Sequence, residues 1–339
     1  MRAVAFTAEG TLEVVEKPEP IAGPTDVVVA VERCGICGSD LHVKQARLLP
    51  PGAVMGHEFG GTVLSVGGAV NNVVPGQRVA VLPAERCGTC PLCTSGRGEI
   101  CPTQMTTALG LGFRDGAYAE QVLAAATSCF PLPDGMTSEQ AALVEPYAVA
   151  LHAVRRSASA HGRASTAAVI GAGPIGLFTL AALRNEGVEA VAVAERSPSR
   201  AAMADRMGAA AVVEQARRLA AVLGDQPDVV FDCAGVAETA PVALEVVRSG
   251  GQVVLVGVVN PGDMLAMPGT LWIIKEVDVL SALAYTDDEF EEAVAAVAAG
   301  AVDADVVVSD VRPLEAAEAS FAELTQPGGP VKVLLSPST

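Results

Sequence analysis

Over the first thirty residues, short β-branched runs alternate with turn residues. Runs at 4–6, 12–15 and 27–31 are separated by Pro18, Pro20 and the Gly23-Pro24 pair. Such a pattern predicts strands punctuated by turns. Runs at 60–66 and 78–82 repeat it, so the N-terminal portion reads as a β-rich, barrel-like domain. Near residue 165 the pattern changes. Apolar runs at 166–170, 190–194, 211–213, 229–232 and 252–259 alternate with helical periodicity at 177–185, 199–207, 215–223 and 238–247. Strand–helix alternation at these lengths implies a doubly wound parallel sheet covered on both faces. The expected fold class is therefore α/β, a β-rich domain joined to a Rossmann-type one.

Three further runs bear on this picture. Residues 143–154 predict an apolar helix opened by Glu145-Pro146. Residues 253–259 and 267–274 are more apolar than one sheet face needs, as for strands at an edge paired across a dimer or buried inside the sheet. A helix over 290–299 and a last strand over 331–335 complete the chain.

Composition narrows the function. The length of 339 residues favours two domains, and 50% hydrophobic with 18% charged residues marks a globular chain. A net charge of −17 repels nucleic acid and anionic membranes. The apolar stretch 164–183 is long enough to span a bilayer, yet Gly171, Gly173, Pro174 and Gly176 interrupt it in a nucleotide-binding arrangement. Residues 1–6 show no secretory pattern, so a cytoplasmic location is expected. In that setting the eight cysteines point to metal rather than disulfides.

Six of the eight lie in two groups. Cys34 to Asp40 (CGICGSD) is followed by His42 and by Gly56-His57-Glu58. Thiolate, imidazole and carboxylate together suit zinc, which in catalytic sites takes three protein ligands and keeps one position open. Cys37 and His57 are the first two ligands, with Glu58 or the distant Glu145 as the third. Glu145 is equally well placed as a favourable acid at a helix start. The second group, Cys87, Cys90, Cys93 and Cys101, is spaced C-x2-C-x2-C-x7-C. Four thiolates make a closed tetrahedral zinc site that holds a lobe together, although the spacing also permits an iron–sulfur cluster. Cys129 and Cys233 stand alone and read as core thiols.

Gly171-Ala-Gly173-Pro174-Ile175-Gly176 follows a strand and opens a helix, and the next strand ends in Glu195. The first glycine permits a tight turn, the second admits a pyrophosphate, and the third lets helix pack on strand. Glu195 suits an adenosine ribose and repels a 2′-phosphate, which favours NAD over NADP. Arg196 and Arg200 are the complication, since a guanidinium pairs well with phosphate.

The segments CGICGSDLH, GHEFGGTV, the Cys87–Cys101 group, GAYAE, GAGPIG and FDCAG occur in the order found in zinc-dependent medium-chain alcohol dehydrogenases, and the resemblance runs end to end. Glu145-Pro146 followed by Ala150-Leu151-His152 resembles the polyol, 2,3-butanediol and threonine dehydrogenase branch. The resemblance implies a GroES-like catalytic domain over 1–147 with a zinc lobe at about 85–103. It implies a Rossmann domain over 148–285 and a return to the catalytic domain over 286–339. It further implies Cys37, His57 and Glu58 as catalytic-zinc ligands, with Glu145 binding zinc or its water in some relatives, and Cys34 as no ligand. Cys233 and Val256 join the cofactor contacts, and a homodimer or homotetramer is expected.

Combined, the two sites predict hydride transfer between the carbinol carbon of a secondary alcohol and NAD. Zinc supplies Lewis acidity and the cofactor the hydride chemistry. Ser39 would take the alcohol proton and His42 would pass it to solvent. Ser39 is equally suited to cap the helix expected after it. Two other readings remain: a zinc-containing reductase of an activated double bond or imine, and a non-catalytic NAD(H)-binding protein. Residues 43–55, including Arg47 as a candidate for a substrate carboxylate, and 103–115 are expected to shape the pocket.

Overall fold

The computed structural model describes residues 1–112, 114–162, 164–259 and 262–337. Contacts divide the chain into two compact units. One comprises residues 1–145, 286–300 and 308–339; the other comprises 146–285 and 301–307.

Strands are numbered in chain order: β1 (Arg2–Phe6), β2 (Leu12–Glu16), β3 (Asp26–Gly35), β4 (Glu58–Val66), β5 (Arg78–Val81), β6 (Gln121–Ala125) and β7 (Cys129–Pro131). In the second unit come β8 (Thr166–Ile170), β9 (Ala190–Ala194), β10 (Ala211–Val213), β11 (Val229–Asp232), β12 (Gln252–Leu255) and β13 (Asp278–Ser281). β14 (Val308–Pro313) and β15 (Lys332–Ser336) return to the first.

In the first unit β1 and β2 form a hairpin, and the large sheet runs β14-β15-β3-β4-β5-β7, with β6 also on β3. Its core gathers Val27, Val29, Val31, Phe59, Val63, Val79, Val81 and Leu335, all buried. β3 is the long strand, and its last residues deliver Cys34 and Gly35 to the sheet end. There Gly35 faces Glu58 of β4 on one side and Leu334 of β15 on the other. Residues over 270 positions apart in sequence thus meet beside the Cys37 loop.

The second unit is a six-stranded parallel sheet in the order β10-β9-β8-β11-β12-β13. The chain starts in the middle at β8, builds outward one way through β9 and β10, then returns to build the other way from β11. The reversal leaves a crevice at the carboxyl ends of β8 and β11, the usual ligand position in open α/β sheets.

Several expected elements change in the structure. The helix expected within 143–154 runs over Ser138–His161, with Pro146 inside it. Glu145 is therefore mid-helix, and its role as an acid at a helix start falls away. The true start carries its own signal: Thr137 Oγ1 accepts from Gln140 N–H at 3.1 Å, and the Gln140 side chain accepts from Thr137 N–H at 2.9 Å. That reciprocal pair is a capping box. The apolar run at 267–274 is the helix Gly269–Lys275 instead of an edge strand, and β12 ends at Leu255. The sheet edge on that side is β13, a polar-flanked strand that the apolar pattern does not mark. No helix among the described residues is long and apolar enough to cross a membrane.

A candidate metal centre, a thiolate lobe and a nucleotide cleft

The end of β3 turns through Ile36 into the helix Gly38–Gln45, with Cys37 as its N-cap residue. Cys37, not Ser39, therefore caps the helix. Cys37 N–H donates to Asp40 Oδ2 at 3.0 Å, which fixes the turn. His57 sits immediately before β4 and Glu58 opens it. One ligand atom each from Cys37, His57 and Glu58 lie within 4.8 Å of one another, with His57 and Glu58 buried. Glu145, also buried, is not part of that close trio.

Behind His57 lies Asp40, with no exposed surface. Its Oδ2 accepts from Tyr118 O–H at 2.7 Å, and its Oδ1 is 3.4 Å from His57 Nδ1. The second pair is close but unbonded, since neither atom has a hydrogen-bond partner among the described residues. Ser39 Oγ stands 3.4 Å from His57 Nε2. Burial opposes a charged imidazole, yet Asp40 and then Cys37 outweigh it and raise the His57 pKa well above 6.5. A pocket whose negative groups draw in a proton is electrostatically prepared for a metal ion. Glu58 itself pairs with Lys332 of β15, both side chains being 1% exposed. Burial works against the Lys332 ammonium, but Glu58, Cys37 and Glu145 together raise its pKa.

His42 is half-buried, one turn along the helix from Ser39. Cys34 is fully buried in the core, where desolvation pushes its thiol far above the usual value, as befits a residue outside the ligand set. Arg47 lines a groove with Gly10, Lys44, Phe321 and Thr325 that contains none of the metal-centre residues. That placement lends no support to a role on a substrate carboxylate. Of the pocket segment expected at 103–115, Phe113 lies outside the described residues.

The lobe near residue 90 brings all four of its cysteines together, again within 4.8 Å. Sulfur separations are 3.9 Å for Cys87–Cys93, 3.8 Å for Cys90–Cys101 and 3.6 Å for Cys87–Cys101. Zinc–sulfur bonds of about 2.3 Å in a tetrahedron require sulfur edges of about 3.8 Å, and a disulfide would need about 2.05 Å. All eight cysteines are free thiols. Backbone N–H groups of Thr89 and Cys90 hold the Cys87 thiol down to about 5. The lobe fits a four-thiolate zinc and has no open position.

In the second unit the crevice between β8 and β11 is a cavity of about 770 Å³. Gly171, Gly173, Glu195, Arg196, Arg200 and Cys233 line it, whereas Pro174, Ile175, Gly176 and Val256 do not. The three glycines behave as their spacing predicts. Gly171 takes φ +93°, and nothing lies within 4 Å of where a Gly173 side chain would be. A Gly176 Cβ would meet Gly171 O at 1.8 Å. Glu195 is anchored by both oxygens, accepting from Ala172 N–H and Ser197 N–H at 2.7 Å each. Arg200 Nε is buried without a hydrogen-bond partner among the described residues. Glu214, Arg217 and Thr239 also line the cavity and carry no motif that would have revealed them.

The roles of Asp40, Tyr118 and Lys332 at the centre likewise escaped the sequence reading. Lys332 had a usable signal, a lone lysine opening the apolar run KVLLS.

Residues 23–134 match the family model described as the alcohol dehydrogenase GroES-like domain, and residues 174–299 match that of the zinc-binding dehydrogenases. Sorbitol dehydrogenase of Gallus gallus is 33% identical, over 98% of this chain and 95% of its own. The chain belongs to the zinc-binding alcohol dehydrogenases. Two solved structures of similar proteins extend over 99% of both chains. One, from Sinorhizobium meliloti 1021 and bound to NADP, has a TM-score of 0.91 at 33% identity. The other, 2R,3R-butanediol dehydrogenase from Bacillus subtilis, has 0.87 at 30%. As a zinc-binding alcohol dehydrogenase, this chain is an oxidoreductase whose cofactors are zinc and a nicotinamide dinucleotide. Its thiolate lobe and its Cys37 centre carry donor sets that fit zinc, and its glycine-lined crevice has the size and glycine placement that fit a dinucleotide.

Proposed function

We propose that this zinc-binding alcohol dehydrogenase interconverts a secondary alcohol of a polyol, diol or cyclitol with its ketone, using NAD. The observation that carries the reading is the mixed trio of Cys37, His57 and Glu58, oriented from behind by Asp40. The substrate class is supported by similarity to dehydrogenases of sorbitol and of 2,3-butanediol. NAD is favoured by Glu195, which is pinned at the cleft where a ribose would sit.

When bound, zinc supplies Lewis acidity at the substrate oxygen, and the nicotinamide ring exchanges the hydride. The chain does the rest. Cys37, His57 and Glu58 hold the metal, Glu58 serving as the third ligand and Glu145 lying outside the set. Asp40 keeps His57 Nδ1 toward itself and so turns Nε2 to the metal. Ser39 is positioned to receive the hydroxyl proton, and His42, on the same helix face, to release it to solvent. Assembly through the β13 edge of the second unit belongs to the same reading, giving a homodimer or a tetramer built from it.

The test is nicotinamide absorbance with NAD and then NADP across secondary alcohols, polyols, aminocyclitols and threonine. Activity on the polyol or diol class with NAD is expected. It should vanish in Cys37→Ala, which should still bind NAD and keep its far-UV circular dichroism. Full activity in Cys37→Ala would refute the metal assignment, and silence across the panel would favour a reductase of an activated double bond.

A further inference from the structure

Lys332 sits where no lysine is needed for packing. It opens a strand whose other members are apolar or small, is 1% exposed, and donates to Glu58 Oε2 and to Ile36 O at 3.2 Å. The pair also requires space that the fold reserves for it. A Cβ on Gly35 would lie 2.2 Å from Glu58 Oε2 and 2.9 Å from Lys332 Cε. Gly35 is the β3 residue registered opposite Glu58, so the missing side chain leaves the cleft in which ammonium and carboxylate meet. A buried ion pair is weak evidence of stability, because desolvation offsets most of its attraction. Here one member is also a metal-ligand candidate. The same carboxylate therefore faces two cations, a fixed ammonium through Oε2 and the metal position shared with Cys37 and His57.

We propose that Lys332 is a positioning residue for the metal centre: by engaging Oε2 of Glu58 in the space left by Gly35, it lets that carboxylate offer the metal one oxygen only. This rests on the metal-centre reading above. A carboxylate free at both oxygens would clasp the ion and fill the position that catalysis needs open. One held wholly by its counter-charge would leave the ion with two protein ligands. Charge agrees with the assignment. A thiolate and the carboxylates of Asp40, Glu58 and Glu145 carry more charge than a divalent ion alone offsets, and Glu145 is near enough for its charge to act on Lys332.

The two alternatives differ in sign under substitution. Cobalt(II) exchanged into the three-ligand site, with zinc retained in the four-thiolate lobe, reports through its visible absorption and its rate of loss to a chelator. Lys332→Met frees Oε2, so cobalt should leave at least about tenfold more slowly, with the weaker absorption of a higher coordination number. Lys332→Arg presents a two-pronged donor able to take both oxygens, so cobalt should leave at least about tenfold faster. In a Glu58→Gln background, Lys332→Met should change neither readout.

Opposed shifts that disappear in that background support the proposal. Shifts of one sign in both variants, or none, overturn it in favour of a structural ion pair. Should Lys332→Met fail to fold, Lys332→Arg decides alone, and unchanged cobalt retention there overturns it. Wild-type protein that takes no metal beyond the thiolate lobe refutes the metal centre itself, a result distinct from either.

Discussion

A carboxylate without exposed surface needs its lone pairs met from within, and Asp40 draws on several chain segments to do so. Cys37 N–H and Tyr118 O–H both donate to Oδ2, and His57 approaches Oδ1. Asp40→Asn preserves the shape but removes the charge that steadies the imidazole. It is expected to weaken zinc binding at the Cys37 centre by roughly 10–100-fold, read by chelator competition. Unaltered affinity would strip Asp40 of an orienting role. Glu32 shows the same chemistry away from the site. Burial opposes its ionisation, but hydrogen bonds from Arg78, Ser138 and Thr62 prevail and bring its pKa from 4.5 down to about 2. Because the folded value is the lower one, Glu32 stabilises the fold fully above about 4.5, and that contribution fades as pH falls toward 2. Glu32→Gln should therefore melt lower than wild type at pH 7, with the gap closing near pH 2. A constant gap would disconnect the effect from ionisation. Cys37 and His57 were legible in the sequence because soft ligands are chemically distinctive. Asp40, Tyr118 and Lys332 were not, because their roles arise from contacts with residues distant in the chain.

Elements were legible where spacing itself is the mechanism. The C-x2-C-x2-C-x7-C run needs only local turns to gather its sulfurs, and the glycine fingerprint needs only a strand before it and a helix after. Replacing a lobe cysteine, as in Cys90→Ser, should cut zinc content from two to one per chain and lower the melting temperature, while NAD binding persists. Unchanged metal content would exclude zinc from the lobe. Elements failed where one signal masked another. Pro146 looked like a helix start because proline suits a first turn, yet it lies mid-helix, where its missing N–H removes only one bond of a long ladder. The Thr137–Gln140 capping box was the better marker. The run at 267–274 was read as strand because it is more apolar than one sheet face needs. Periodicity does not separate such a run from a short helix.

At the scale of the molecule, the doubly wound order was legible from strand–helix alternation, and the edge strand was not. β13 ends the sheet, and around that end Ile273, Ile274 and Leu283 are 78%, 73% and 60% exposed. Large apolar side chains so exposed on one unit fit a surface covered by a second copy. Ile273→Glu with Ile274→Glu is expected to shift sedimentation to the monomer, and an unchanged oligomer would place the contact elsewhere. The first unit, for its part, is closed by β15, which lies between β3 and β14. Glu58 and its lysine are separated by 274 residues, with the entire second unit between them. During synthesis on the ribosome, Cys37 and His57 leave the exit tunnel long before Lys332 has been added. The emerging chain thus passes through a stage in which Glu58 is unrestrained, and a cation captured then would meet a more negative and more grasping set of ligands than the finished enzyme presents.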